Sequence, residues 1–322
     1  MAVVEARDLH KSYPGGVEAL RGVSFRMEAG EVFGLLGPNG AGKSTTVRIL
    51  CTLSPATSGR ATVAGHDVEA EPEEVRRRIG YVAQSSGVDT TATGRENLQL
   101  QARLHGMTAG EARRRCDELL ETLGLAGDAG RTVSGYSGGM KRRLDLAMGI
   151  VHRPRVLFLD EPTTGLDPEI RVALWRVLER LAGEEEISVL LTTHYMEEAD
   201  RLARRVAILD RGRIVATGPP GELKSRVRGD HLAVTLSVSA DMERAEVVLR
   251  ELEETESLVR EGATVHVRVA DGTRALPQVV SALEGAGAEV AEIALSRPSL
   301  EDVYLAATGQ SFERADDTER ST

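Results

Sequence analysis

Up to about residue 228, short apolar runs alternate with stretches whose apolar residues recur at helical spacing. That alternation predicts an α/β domain built on a mainly parallel sheet. Four runs are nearly continuous in hydrophobics: Val32–Leu36, Val156–Leu159, Ile187–Thr192 and Val206–Leu209. Unbroken runs predict strands covered on both faces, because a half-exposed strand alternates. Asp210-Arg211-Gly212-Arg213 then reads as a turn into Ile214–Ala216, a short hairpin. Between Glu96 and Leu123 the pattern turns helical and rich in Arg and Glu, which predicts a helical insertion standing off the sheet.

Gly218-Pro219-Pro220-Gly221 and the polar stretch to Asp230 read as a boundary, with one domain over residues 1–228 and a second over 231–308. In the second, Leu232–Val238, Val265–Val269 and Glu289–Ala294 read as strands, separated by helical segments near Met242–Glu253 and Leu276–Glu284. This is a small α+β module. Leu300, Val303, Tyr304 and Leu305 add a helical apolar stripe that must cover something. Residues 309–322 are polar, lack periodicity and read as a disordered tail.

Composition narrows the class without giving a function. The 322 residues carry 40 basic and 50 acidic side chains, a net charge of −10, and only 3 % are aromatic. A broad nucleic-acid surface wants basic tracks and stacking rings, so no nucleic-acid partner is expected. No apolar run approaches the roughly 18 residues of a membrane span, so no direct span is expected either. Residues Met1–His10 contain Glu5 and Asp8 and no apolar core, which speaks against an export signal. Cys51 and Cys116 lack metal-like spacing and read as small buried hydrophobes of a reduced, cytosolic protein. The clusters Arg76–Arg78, Arg113–Arg115 and Arg204–Arg205 read as solvated helix faces, since acids flank each.

Gly37-Pro38-Asn39-Gly40-Ala41-Gly42-Lys43-Ser44 fits the phosphate-loop pattern G-x4-G-K-[ST]. It follows the Val32–Leu36 strand and precedes the apolar helical run Thr45–Leu53, the context the motif requires. Glycines let the main chain wrap phosphate oxygens, and the helix N-terminus adds amides and a favourable dipole. Lys43 is placed to reach the β- and γ-phosphates, and the Ser44 hydroxyl to bind Mg²⁺. The run Val156–Leu159 ends in two adjacent carboxylates. Asp160 is placed to bind Mg²⁺, directly or through water, and Glu161 to polarise the attacking water. Alone, such a pair equally well caps the next helix; behind a phosphate loop it becomes specific. No NKxD guanine-reading motif is present, which counts against a GTPase. The deciding segment is Tyr136-Ser137-Gly138-Gly139-Met140-Lys141-Arg142-Arg143. By itself it is a Ser-Gly-Gly turn capping a basic helix, and its place before the Asp160–Glu161 strand makes it specific.

With the motifs in this order, residues 3 to about 225 resemble the ATP-binding cassette (ABC) ATPases. The resemblance implies a P-loop NTPase fold: a mainly parallel sheet core, a helical subdomain and an antiparallel β subdomain, followed here by the small α+β module. It implies ATP and Mg²⁺ as ligands, with the phosphates held by residues 37–45, Thr45 included. Ser137, Gly138 and Gly139 would belong to the signature loop, which contacts the γ-phosphate of ATP held on the opposite subunit. The working unit would then be a dimer, and a homodimer suffices because every motif is intact in this one chain. Gln84, after Ile79-Gly80-Tyr81-Val82-Ala83, matches the glutamine loop that links the Mg²⁺ site to a membrane partner. Asp167, in Gly165-Leu166-Asp167, matches the D-loop at the dimer seam. His194, ending Leu190-Leu191-Thr192-Thr193-His194, matches the switch histidine that senses the γ-phosphate. Tyr13 sits where the family stacks an aromatic on adenine. Met140 departs from the family, many of whose members have Gln there. Taken singly, Gln84, His194 and Tyr13 read as a surface amide, a strand-end polar residue and ordinary packing; their weight comes from the resemblance.

A closer likeness lies in the run from Tyr136 through Ala147 and in Arg297-Pro298-Ser299-Leu300-Glu301-Asp302-Val303-Tyr304-Leu305. Both look like the daunorubicin/doxorubicin-resistance type of ABC ATPase. The likeness implies a peripheral ATPase at the cytoplasmic face of the cell membrane, driving a separately encoded permease for drug efflux. Alternatives are an ATPase of a lipid or polysaccharide exporter, an importer ATPase, or a soluble ABC protein acting on ribosomes or DNA. A single cassette without long heptads or zinc cysteines counts against the last.

Overall fold

The unbroken apolar runs stand side by side in one sheet. The computed structural model describes residues 2–184, 187–227, 229–237, 241–252, 255–310 and 312. Two units separate within it, Met1–Pro220 with Gln310–Thr322, and Gly221–Gly309.

The first unit begins β1 (Ala2–Ser12), β2 (Glu18–Glu28), β3 (Val32–Leu36), α1 (Lys43–Leu50), β4 (Ser58–Val63), β5 (His66–Asp67), α2 (Pro72–Arg78) and β6 (Ile79–Val82). Three helices follow, α3 (Gly94–Leu104), α4 (Ala109–Thr122) and α5 (Gly138–Ile150). Then come β7 (Val156–Asp160), α6 (Pro168–Glu184), β8 (Ser188–Thr193), α7 (Met196–Leu202), β9 (Arg205–Asp210) and β10 (Arg213–Gly218). Six strands pair in the order β10-β9-β3-β8-β7-β6. All are parallel except β10, which makes the expected hairpin with β9. Alternate residues of the continuous strands feed two different cores. Leu157 and Leu159 of β7 pack with α5 and α6, while Val156 and Phe158 pack with α1 and the second sheet. That two-sided demand is why the run carries no polar positions.

The second sheet, β2-β1-β4-β5, is antiparallel and shares a core with β3 through Val4, Leu9, Leu20, Phe33 and Leu35. The helical insertion is α3 and α4, gathered on α5. Capping boxes start two of its helices, Thr93 with Glu96 and Thr108 with Glu111, each satisfying end amides that would otherwise lack partners. Two of the arginine readings are corrected here. Arg115 is buried, and its Nε and Nη2 donate to the carbonyls of Val151 and Ile150 at the end of α5. Arg204 lies in the bend after α7 and Arg205 opens strand β9, so neither is on a helix face. Cys51 and Cys116 are buried free thiols.

After α8 (Pro220–Arg226), the second unit runs β11 (Asp230–Leu236), α9 (Met242–Glu251), β12 (Thr255–Glu261), β13 (Thr264–Val269), α10 (Gly272–Gly285), β14 (Val290–Ser296) and α11 (Leu300–Thr308). Its sheet is antiparallel, in the order β12-β13-β11-β14. Leu232, Val234, Val265 and Val267 face Met242, Leu249, Val279 and Leu283 of the two helices. In α11 the stripe Leu300, Val303 and Tyr304 is buried, while Leu305 is 40 % exposed. The stripe is not part of the sheet–helix core. Val238, Glu253 and the expected tail beyond Gln310, except Phe312, lie outside the described residues. No helix among the described residues is long and apolar enough to cross a membrane.

Candidate functional site

β3 delivers the chain into a turn that only small residues allow. A Cβ on Gly37 would lie 2.4 Å from the Leu209 carbonyl oxygen. Gly42, at φ 105°, would bring one within 2.7 Å of the Ala19 carbonyl oxygen and of Leu20. Gly42 is also the N-cap of α1, and no side chain caps that end. The first-turn amides therefore have no side-chain oxygen competing with an anion. Lys43, buried at the start of α1, donates to the carbonyls of Gly37 at 2.8 Å and Pro38 at 2.9 Å. Its Nζ also stands 3.4 Å from Glu161 Oε1.

Ser44 and Asp160 meet across the sheet end, the Ser44 hydroxyl donating to Asp160 Oδ1 at 2.9 Å. The same oxygen accepts from Thr192 Oγ1 at 2.6 Å. Thr192 also accepts from the Glu161 amide at 2.9 Å, so one hydroxyl fixes both carboxylate residues. It can do so because β8 runs beside β7 with Thr192 directly opposite Asp160.

Glu161 is the hub. Its main chain turns through a left-handed φ of 47°, rare for a residue with a side chain, which aims the carboxylate back over the phosphate loop. Its Oε2 accepts from Gln84 Nε2 at 3.3 Å and Thr164 Oγ1 at 3.0 Å, and His194 Nδ1 lies 3.3 Å away. Burial alone raises the Glu161 pKa, but the His194 contact and the Lys43 charge outweigh it and hold the carboxyl at about 2. Asn39, Gly40, Gly42, Lys43, Ser44, Thr45, Gln84 and Glu161 line a cleft of about 160 Å³.

The remaining expected site residues are not among those lining that cleft. Ser137 is the N-cap of α5 and accepts from the Met140 amide at 3.3 Å. That bond uses a lone pair and leaves the hydroxyl able to donate. A Cβ on Gly138 would touch Leu166 at 3.7 Å, and one on Gly139 would strike Ile170 at 2.5 Å, so the 138–139 turn packs beside Asp167. The Asp167 carbonyl accepts from the Arg171 amide at 2.9 Å. Tyr13 sits in the β1–β2 connection, its amide bonded to the Val17 carbonyl at 2.9 Å and Lys11 Nζ 5.1 Å from its ring centre. Ala41 donates to the Pro38 carbonyl at 3.3 Å within the phosphate loop. Sequence reasoning missed Thr164 and Thr192. Thr164 belongs to the turn after Glu161, a cue that was available; Thr192 is found only through strand register.

Comparison with known proteins bears directly on this arrangement. Residues 20–164 match the family described as ABC transporter, and residues 218–308 match the C-terminal domain of DrrA1-3-like ATP-binding proteins. Over 320 residues the chain is 46 % identical to the daunorubicin resistance ATP-binding protein DrrA2 of Streptomyces coeruleorubidus, with 97 % of each chain covered. The chain belongs to the ABC transporter ATP-binding subunits. The linearmycin resistance ATP-binding protein LnrL of Bacillus subtilis is 34 % identical over 317 residues, covering 96 % of this chain and 99 % of that one. Among solved structures, a post-hydrolysis dimer of an ATP-binding cassette bound to ADP and Pi aligns with a TM-score of 0.61 and 26 % identity. That alignment covers 67 % of this chain and 98 % of the other. The ABC resemblance, the daunorubicin/doxorubicin type and the P-loop NTPase fold with its small α+β module are therefore borne out. The protein is an ATP-hydrolysing ABC transporter subunit, homologous to those of drug-resistance exporters.

Proposed function

We propose that this ABC subunit works as a pair of identical chains at the cytoplasmic face of a membrane, where Mg²⁺–ATP hydrolysis drives a separately encoded permease that exports a drug-like molecule. The reading is supported by the relatives named for resistance to daunorubicin and linearmycin, and by the dimeric cassette with ADP and Pi. Residues 1–228 would be the nucleotide-binding domain and 231–308 an accessory module.

The observation that carries it is the convergence of Lys43, Gln84, Thr164 and His194 on the single carboxylate of Glu161. The oxygen donors also fit Mg²⁺, since the Ser44 hydroxyl and the Asp160 carboxylate lie 2.9 Å apart with Gln84 in the adjoining cleft. Mg²⁺, when bound, supplies positive charge against the phosphate oxygens. Residues 37–45 hold the phosphates with main-chain amides, and Lys43 exchanges its Glu161 partner for the β- and γ-phosphates. That exchange frees an oxygen of the carboxylate that orients and polarises the attacking water. His194, beside the same carboxylate, senses the γ-phosphate. Ser137, Gly138 and Gly139 of one copy close on the nucleotide of the other, Asp167 lies at the seam, and Tyr13 stacks on adenine.

Glu161→Gln tests the assignment because it keeps shape and hydrogen bonding while removing the base. Steady-state hydrolysis should fall by about 10²- to 10⁴-fold with ATP binding retained and an ATP-dependent dimer that persists. Near-normal turnover would remove Glu161 from that role.

A further inference from the structure

Arg142 lies on α5 one turn beyond the Ser137 cap and is almost wholly buried, at 6 % exposure. Each arm of its guanidinium donates to a main-chain carbonyl. Nε reaches Pro162 at 2.6 Å, Nη1 reaches Ala83 at 2.6 Å and Nη2 reaches Asp160 at 3.3 Å. Two of those carbonyls flank Glu161, and the third immediately precedes Gln84. On the next turn of α5, Asp145 Oδ1 accepts from the Gly87 amide at 3.0 Å. One helix face thus grips the Gln84 loop at both ends and the Glu161 turn on both sides. A buried cation is expensive, and burial lowers the Arg142 pKa. A neutral side chain could fill this helix face without that penalty, but it could not reach three separate segments with a planar fork.

We infer that Arg142 is a positioning residue that ties the Gln84 loop and the Glu161 turn to the helix headed by Ser137, with Asp145 as its companion on the loop. The inference rests on the roles proposed above for Glu161 and Gln84. It makes the 137–139 loop, which faces a second copy, and the Gln84 loop, which faces the permease, parts of one body with the hydrolytic carboxylate. Displacement of either is then delivered to Glu161 through hydrogen bonds that a rigid fork keeps in register.

Arg142→Lys keeps the charge but replaces the three-armed fork with a point donor. ATP hydrolysis by the full chain should lose about ten- to a hundredfold in kcat, with KM for ATP changed less than about threefold, because the carboxylate is misplaced and the phosphate loop is not. In nucleotide-free protein, amide hydrogen exchange over residues 84–87 should quicken. Combined with Gln84→Ala, the two losses in kcat should fall well short of multiplying, since both act through the same loop. Independent, multiplicative losses, unchanged exchange, or an unchanged kcat would each overturn the inference. If Arg142→Lys does not fold, Asp145→Ala releases the other end of the loop and must itself quicken exchange and lower kcat; a variant that does neither overturns the inference as well. Normal turnover by Gln84→Ala alone contradicts the proposed role of Gln84 instead, and the exchange result still decides whether Arg142 holds the loop.

Discussion

The first unit buries Lys43, Arg142, Asp160, Glu161, Thr192 and Glu198, whereas the only buried polar or charged side chain among the described residues of the second is Asp241. Asp241 there does a structural task, accepting from the Glu289 amide at 3.2 Å. The second unit is otherwise sealed by Val, Leu, Ala and Met against one sheet face. Buried polar groups destabilise a fold unless they are hydrogen-bonded, so a cluster of them marks where the fold gives up stability for chemistry. That cluster lies in the first unit, and the described residues of the second hold none. Glu198 fits the pattern outside the cleft. It is fully buried, accepts from the Trp175 indole at 2.8 Å, and its pKa is raised chiefly by burial.

The largest effect is expected for Lys43→Ala, which removes the one buried cation lining the cleft and should weaken ATP binding by about 10²-fold or more, a loss equilibrium titration would reveal. Undiminished affinity would detach the phosphate loop from nucleotide binding. Leu283→Ala opens a cavity in the second unit and should destabilise it by about 2–5 kcal/mol, read by denaturant unfolding. ATP hydrolysis per folded molecule should stay within about twofold. A large fall in turnover would mean that the module takes part in the chemistry.

A smaller effect concerns pH. His152 stacks on His105 with ring centres 3.7 Å apart, and its pKa is lowered to about 4 by burial first and by His105 next. The folded chain therefore resists a proton that the unfolded chain takes up near the ordinary value of 6.5. Stability from this site is full above that value and is lost as pH falls from about 6.5 through 4. His152→Gln should flatten that limb of the stability curve. An unchanged limb would assign the acid sensitivity elsewhere.

Much of the first unit was legible because its chemistry is written in contiguous runs. The phosphate loop and the Asp160–Glu161 pair each follow a strand whose both faces are buried, which makes strand and motif announce each other. What escaped depends on partners distant in sequence. Thr192 matters through its register opposite Asp160, and Arg142 through carbonyls that carry no side-chain signature. Arg115 looked solvated because acids surround it in sequence, yet its helix turns it toward the last carbonyls of α5. In the second unit β12 went unread because Thr255–Glu261, at one edge of the sheet, sets three charged residues around a single apolar pair, whereas the other edge strand, β14, carries only one charge. An edge strand with charged residues gives little alternation to detect.

In the proposed dimer each catalytic cleft is finished by the 137–139 loop of a second copy. Mixing Lys43→Ala subunits with Ser137→Arg subunits tests it most directly, because their heterodimer has one composite site with both lesions and one with neither. Each variant alone should be inactive, and after subunit exchange the mixture should recover a substantial part of the ATP hydrolysis of a single intact site. No recovery, with exchange demonstrated by labelled subunits, would contradict the account.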